Sequence, residues 1–179
     1  VNNVDVEILP GLFNFDSELV AAINPGFYRG GGTWCNNMNS KAFTPMELRK
    51  FYYAGGFQGG TTTAYLSACV ELSHNIKEDE EKGIIAEWND ESHWNWYLTN
   101  KHPKILTPEY CMVENKQSRI DWKIDHFIPK IIALDKNHNE IRYGVVPQDM
   151  AGVATQATDV VPIKKAAVII FHKQANLYP

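Results

Sequence analysis

Strand-like apolar runs that alternate with helix-period segments place this 179-residue chain in the α/β class. Three observations carry that assignment. Leu19 to Ile23 is a short apolar run that breaks at Asn24-Pro25-Gly26, the pattern of a strand entering a turn. Ala64, Leu66, Ala68, Cys69, Val70 and Leu72 recur with helical spacing after Thr61. Ser92 to Leu98 forms a second helix-like stretch, followed by the short apolar runs Ile105-Leu106 and Ile131 to Leu134.

Each element has a local reason. Arg29 to Asn39 is rich in glycine and asparagine and reads as a loop. Phe51-Tyr52-Tyr53-Ala54 has strand-like aromatics. It enters Gly55-Gly56-Phe57-Gln58-Gly59-Gly60, where the density of glycine argues against a regular element. Thr61 to Ser73 is expected to be helical, with threonines available to cap its start. Ile76 to Ile85 continues or follows that helix and carries a solvated acidic stretch at Glu78 to Glu81. Asn89 or Asp90 can cap the helix that follows. Ile105-Leu106 and Ile131 to Leu134 read as short buried strands. Val145 to Val161, rich in Ala, Thr, Gln and Asp with little periodicity, reads as a linker. The expected organisation is residues 1–144 as one unit and 145–179 as linker and start of a second domain.

Composition narrows the class of partner. Hydrophobic residues make up 44% of the chain and aromatics 12%, enough for a real core. The net charge of −4 offers no basic field, so nucleic acid is not an expected partner. Cys35, Cys69 and Cys111 are odd in number and far apart, without zinc or disulfide-framework spacing. A reducing, cytoplasmic setting is the simpler expectation. The longest apolar run, Ala166 to Phe171, is far short of the roughly 20 residues that a membrane span needs. The opening Val1-Asn2-Asn3 does not have the composition of a signal peptide.

Three constellations can carry chemistry. In Trp88-Asn89-Asp90-Glu91-Ser92-His93, adjacent carboxylates at a helix start point about 100° apart and can serve two different atoms. The helix N-terminus favours their ionised forms. A carboxylate that stabilises, or briefly bonds to, an oxocarbenium-like carbon is what retaining sugar transfer requires. The tryptophan offers a flat face to a sugar ring. The same residues also read as an ordinary acidic first turn, and a rival reading takes Asp90, Glu91 and His93 as ligands of a hydrolase metal. In Tyr52 to Gly60, paired glycines let a ligand approach the backbone closely, or simply make a tight strand-to-helix turn. Lys136-Asn137-His138 with Arg142 can hold a diphosphate, or form a solvated basic turn.

Taken together and in order, these segments resemble glycosyltransferase family 6. The resemblance rests on Asn24-Pro25-Gly26-Phe27-Tyr28, Phe51 to Gly60, Trp88 to His93 with Asn95 and Tyr97, Pro103 to Tyr110, and Lys136-Asn137-His138 with Arg142. It implies a GT-A-type fold with a mixed sheet and flanking helices. It also implies transfer of N-acetylgalactosamine or galactose from a UDP-sugar to a galactose-type acceptor hydroxyl, with retention and an α1,3 linkage. By this resemblance Glu91 is the catalytic carboxylate beneath the donor sugar. Ala54, Gly55, Gly56, Asp90, Lys136 and Arg142 fall on the donor side. Asn24, Thr33 and Trp88 fall on the acceptor side. Ala54 and Gly56 match residues that flank the sugar's 2-substituent, and their small size leaves room for an acetamido group.

Some positions depart from the family pattern. Asn24 and Asn89 replace histidines, the loop from Tyr28 to Thr33 is short, and the tryptophan and aspartate usual after Tyr110 are missing. These changes fall mostly on the acceptor side. The resemblance further implies that the uridine-binding strands and the metal motif lie upstream of Val1. The chain is then expected to be an excerpt, with part of the N-terminal uridine-binding half lacking. No manganese ligand is expected within it. Weak UDP binding and self-association through uncovered sheet edges are expected to follow. An inactive carbohydrate-binding relative is the alternative to an enzyme.

Overall fold

The computed structural model describes residues 17–135. The linker and second-domain expectation, Lys136 and Arg142 lie outside those residues.

A mixed three-stranded sheet forms the centre, in the order β2-β1-β3. Strand β1 is Leu19–Ile23, β2 is Tyr53–Gly60 and β3 is Lys104–Leu106. β1 runs antiparallel to β2 and parallel to β3. All five residues of β1 are buried, so its uninterrupted apolar run marks a strand covered on both faces. Leu19 and Ala21 point to one face, where they meet Tyr53, Tyr65, Ala68, Trp94, Tyr97 and Leu98. Val20 and Ala22 point to the other, where they meet Phe57 and Leu106. The period of two along β1 therefore sorts the interior into two clusters. Trp94 and Tyr97 stack at 6.0 Å with an interplanar angle of 16°. Burying a large side chain such as these stabilises the fold by about 1.5–3 kcal/mol.

The glycine-rich run is strand, contrary to the sequence expectation. Two steps along β1, from Ala21 to Ile23, face five along β2, from Gln58 to Tyr53. The surplus is taken up as a bulge, which glycine tolerates. Gly55 and Gly60 of β2 serve close approach rather than turning. A Cβ on Gly60 would strike the Glu18 carbonyl oxygen, and one on Gly55 would lie 2.8 Å from Glu91 Cβ.

Helix α1, Thr62–Glu81, joins the two expected helical segments into one but stops short of Ile85. Thr61 caps it by accepting from the Ala64 N–H. It ends where Gly83 takes a positive φ of 67°. Gly83 N–H then bonds the Glu80 carbonyl and Ile84 N–H the Asp79 carbonyl, which satisfies the last helical acceptors. Its inward stripe is Tyr65, Ala68, Asn75 and Asp79. Leu66 and Val70, expected on the apolar face, are instead 53% and 72% exposed. Asp79, expected in a solvated stretch, is buried.

Helix α2, Asn89–Leu98, is capped differently from the expectation. Its N-cap is Trp88, because Asn89 already lies within the helix at φ 46°. Ser92 Oγ accepts the Trp88 N–H at 3.0 Å in place of an Asn89 or Asp90 cap. Beyond β3, a short parallel pair forms from β4, Met112–Val113, and β5, Ile132–Ala133. Helix α3, Lys116–Asp121, lies between them in sequence. β5 is exposed rather than buried, and Ile105 in β3 is 42% exposed while Leu106 is buried.

Candidate functional site

The N-terminus of α2 meets the outer edge of β2. Glu91 sits in the first turn of α2 and accepts the Gly55 N–H at Oε2, 2.7 Å away. That approach is possible only because residue 55 has no side chain: besides the contact with Glu91 Cβ, an added Cβ would lie 3.1 Å from Oε2. Gln58 Nε2 donates to the Gly55 carbonyl at 3.0 Å, and the Tyr65 hydroxyl donates to Gln58 Oε1 at 3.4 Å. Both sides of the Gly55 peptide are thus engaged.

Tyr52 closes the site from the opposite side. Its ring is buried in edge contacts with Phe27 and Trp34, both at 5.1 Å between centroids. Gly32 makes room for it, since a Cβ there would strike the Tyr52 ring. The Tyr52 hydroxyl accepts from Thr33 Oγ1 at 3.0 Å and donates to the Thr33 carbonyl at 3.2 Å, and it lies near enough to the Glu91 carboxylate to favour its ionised form. Thr33 thus fixes the phenol through both its hydroxyl and its carbonyl.

The electrostatics follow from this enclosure. Burial pushes the Glu91 carboxyl above its ordinary value, against the opposing pull of the Gly55 N–H and the Tyr52 hydroxyl; the Asp90 charge adds to the rise. Burial and the Glu91 charge raise Tyr52. The Cys111 thiol is pushed up to about 11 by burial and, secondarily, by Glu91. Glu91 is thus a partly buried carboxylate at the junction of α2 and β2, with Asp90 beside it in the first helical turn.

The other predicted residues divide by position. Asp90 is half-buried, and its field reaches Tyr65 and His93. Ala54 is buried, whereas Gly56 is exposed, with nothing within 4 Å of where a Cβ would be. Trp88 is 46% exposed at the mouth of α2. Asn24 ties its own turn together, with Oδ1 accepting the Gly26 N–H at 3.0 Å and its backbone N–H bonding the Tyr52 carbonyl at 2.9 Å. His93 does not join Asp90 and Glu91 as a metal ligand. It points inward, with Nε2 3.6 Å from Asp79 Oδ2. Among the described residues, no group of three His, Cys, Asp or Glu side chains could hold a metal ion.

Tyr52, Gln58 and Asn95 belong to the site, and sequence reasoning gave them no role. Only Asn95 had a legible signal: it lies four residues after Glu91 on the same helix face. A cavity of about 270 Å³ adjoins this junction, lined by Trp34, Phe51, Tyr53, Asn95, Lys101 and Ile105 among others. Neither Asp90 nor Glu91 lines it, and the desolvated carboxylate marks the candidate site more strongly than cavity size.

Comparison with known proteins identifies the family. The sequence model described as Glycosyltransferase family 6 matches residues 2–143. The chain is 36% identical over 145 residues to Histo-blood group ABO system transferase 1 of Rattus norvegicus, covering 79% of this chain and 39% of that protein. It is 32% identical over 129 residues to Globoside alpha-1,3-N-acetylgalactosaminyltransferase 1 of Gallus gallus, covering 70% and 36%. It is 27% identical over 126 residues to O-antigen biosynthesis glycosyltransferase WbnI of Escherichia coli, covering 69% and 54%. The chain thus spans well under two thirds of the length of these relatives. The family match over most of the chain, on a mixed sheet with flanking helices, leads to one assignment: the chain belongs to glycosyltransferase family 6.

Proposed function

We propose that this protein is a retaining glycosyltransferase that moves N-acetylgalactosamine or galactose from a UDP-sugar to a galactose-type acceptor hydroxyl in α1,3 linkage. The observation that carries the reading is Glu91, a desolvated carboxylate locked onto the Gly55 N–H beside the open edge at Gly56. An anion with few competing water dipoles acts strongly on nearby positive charge. Such charge builds on the anomeric carbon as UDP departs. In a double displacement Glu91 is the nucleophile, its bond to the anomeric carbon forming as the bond to UDP breaks; in a same-face substitution it acts only by electrostatic stabilisation. Asp90 is the partner for donor-sugar hydroxyls. Lys136 and Arg142 are the partners for the diphosphate. Thr33, Asn24 and the exposed face of Trp88 serve the acceptor.

Glu91→Gln removes the charge with little change of shape. In the full-length protein it should lower kcat by about 100-fold or more and leave the UDP-sugar KM within about threefold. Near-normal turnover would overturn the reading.

We further propose N-acetylgalactosamine as the preferred sugar. Support comes from the small Ala54 and from the open space at Gly56, where an acetamido group would sit. Competition between UDP-N-acetylgalactosamine and UDP-galactose tests this. A strong preference for UDP-galactose rejects it.

A further inference from the structure

Asn95 makes three short hydrogen bonds, and together they set where Glu91 stands. It is buried, at 2% exposure. Oδ1 accepts the Tyr53 N–H at 2.7 Å. Nδ2 donates to the Tyr53 carbonyl at 2.8 Å and to the Glu91 carbonyl at 2.9 Å. The carboxamide thus pairs with Tyr53 as a neighbouring strand would. It does so where a strand neighbour is missing, because β2 is the edge of the β2-β1-β3 sheet.

Glu91 uses the same edge two residues further along. In a strand, the N–H groups of residues i and i+2 point to the same side, about 6.7 Å apart. On a helix, residues i and i+4 are one above the other, about 6 Å apart. The two spacings match. Helix α2 therefore meets β2 as a ladder of two rungs, Asn95 on Tyr53 and Glu91 on Gly55. The Glu91 rung has one contact to β2 backbone and the Asn95 rung has two. A donor-plus-acceptor side chain is needed on the stronger rung. Aspartate lacks the donor, and leucine lacks both groups.

We infer that Asn95 is a positioning residue for Glu91, fixing the register of α2 on β2 so that the carboxylate stays aimed at the donor site. This rests on the catalytic reading of Glu91 given above. A displacement of about 1 Å at a reacting group can cost about 100-fold in rate.

A double-mutant cycle on the full-length protein separates this role from general stabilisation. Asn95→Ala should lower kcat by roughly 10- to 100-fold and leave the UDP-sugar KM within about threefold. In the Glu91→Gln background the same change should cost less than about threefold more, because the group it positions is already disabled. If Asn95→Ala does not fold, Asn95→Asp replaces it in the cycle; it keeps the acceptor for the Tyr53 N–H and loses both donated bonds. Two results would overturn the inference. One is wild-type kcat in the single variant. The other is a loss that multiplies fully with that of Glu91→Gln, as a purely structural residue would give. Near-normal turnover of Glu91→Gln alone would bring down the catalytic reading itself, and this inference with it.

Discussion

At the scale of single residues, the site turns on a competition for the Glu91 proton. Burial favours the neutral acid, while the Gly55 N–H and the Tyr52 hydroxyl favour the anion. Burial is the largest influence, so the folded value lies above the ordinary carboxylate range. Activity that needs the anion is then lost as pH falls through that raised value. Tyr52→Phe removes the hydroxyl that favours the anion and keeps the ring contacts with Phe27 and Trp34. The acid limb of the kcat/KM profile should move to higher pH. An unmoved limb, or one displaced to lower pH, would show that the phenol does not serve the carboxylate.

At the scale of elements, α1 does more than fill one side of the sheet. Its final turn buries Asp79, which gathers a cluster from three segments. Ser40 Oγ donates to Oδ2 at 2.5 Å, and the Lys41 N–H donates to the carboxylate at 2.8 and 3.0 Å. His93 of α2 lies against the same oxygen as Ser40. This carboxylate holds the loop around residue 40 to α1 and forms the floor beneath α2. Hydrogen bonds to a charged acceptor are worth about 1.5–3 kcal/mol each, and leaving the partners poorly matched removes much of that. Asp79→Asn should therefore destabilise the fold by about 2 kcal/mol in a denaturant titration, lowering the midpoint at unchanged slope. A change within about 0.5 kcal/mol, the usual range for surface substitutions, would mean that the cluster is dispensable.

At the scale of the whole molecule, the same junction makes stability depend on pH. His93 is enclosed between α1 and α2, and burial lowers its affinity for a proton. The negative charges of Asp79 and Asp90 pull the other way, and burial wins. The folded value therefore lies below the ordinary histidine value of about 6.5. Above that ordinary value His93 contributes no pH dependence. As pH falls below about 6.5 the unfolded chain takes up the proton and the folded chain does not, so stability falls, by at most about 1.4 kcal/mol per pH unit for one group. Glu91 acts with opposite sign at lower pH, because its raised folded value makes the folded state the better proton acceptor there. His93→Gln should flatten the loss between about pH 6.5 and 5.5 in denaturant titrations. A slope equal to that of the wild type would assign the pH dependence elsewhere.

Local periodicity and composition determined the α/β class, the strand at Leu19–Ile23 and the helices after Thr61 and around Ser92–Leu98, while the family resemblance singled out Glu91. These features depend on neighbours close in sequence: apolar spacing, a turn at Asn24-Pro25-Gly26, acidic residues at a helix start. Family resemblance could be read for the same reason, since it rests on ordered short motifs. The strand character of Tyr53–Gly60 could not be read that way. Gly55 and Gly60, which look like turn formers, serve close approach to Glu91, thirty-six residues beyond Gly55, and to Glu18 and Leu19 at the start of the neighbouring strand. The burial of Asp79 within an acidic stretch and the exposure of Leu66 and Val70 were also beyond local pattern, because the partners that decide them come from distant segments. Tyr52 and Asn95 gained their roles in the same way. A phenol 39 residues before Glu91 and a carboxamide 42 residues after Tyr53 meet their partners only when α2 lies along the edge of β2. Sequence fixes which groups are available and how each segment is inclined to fold, whereas non-local hydrogen bonds and steric fit decide which of them touch.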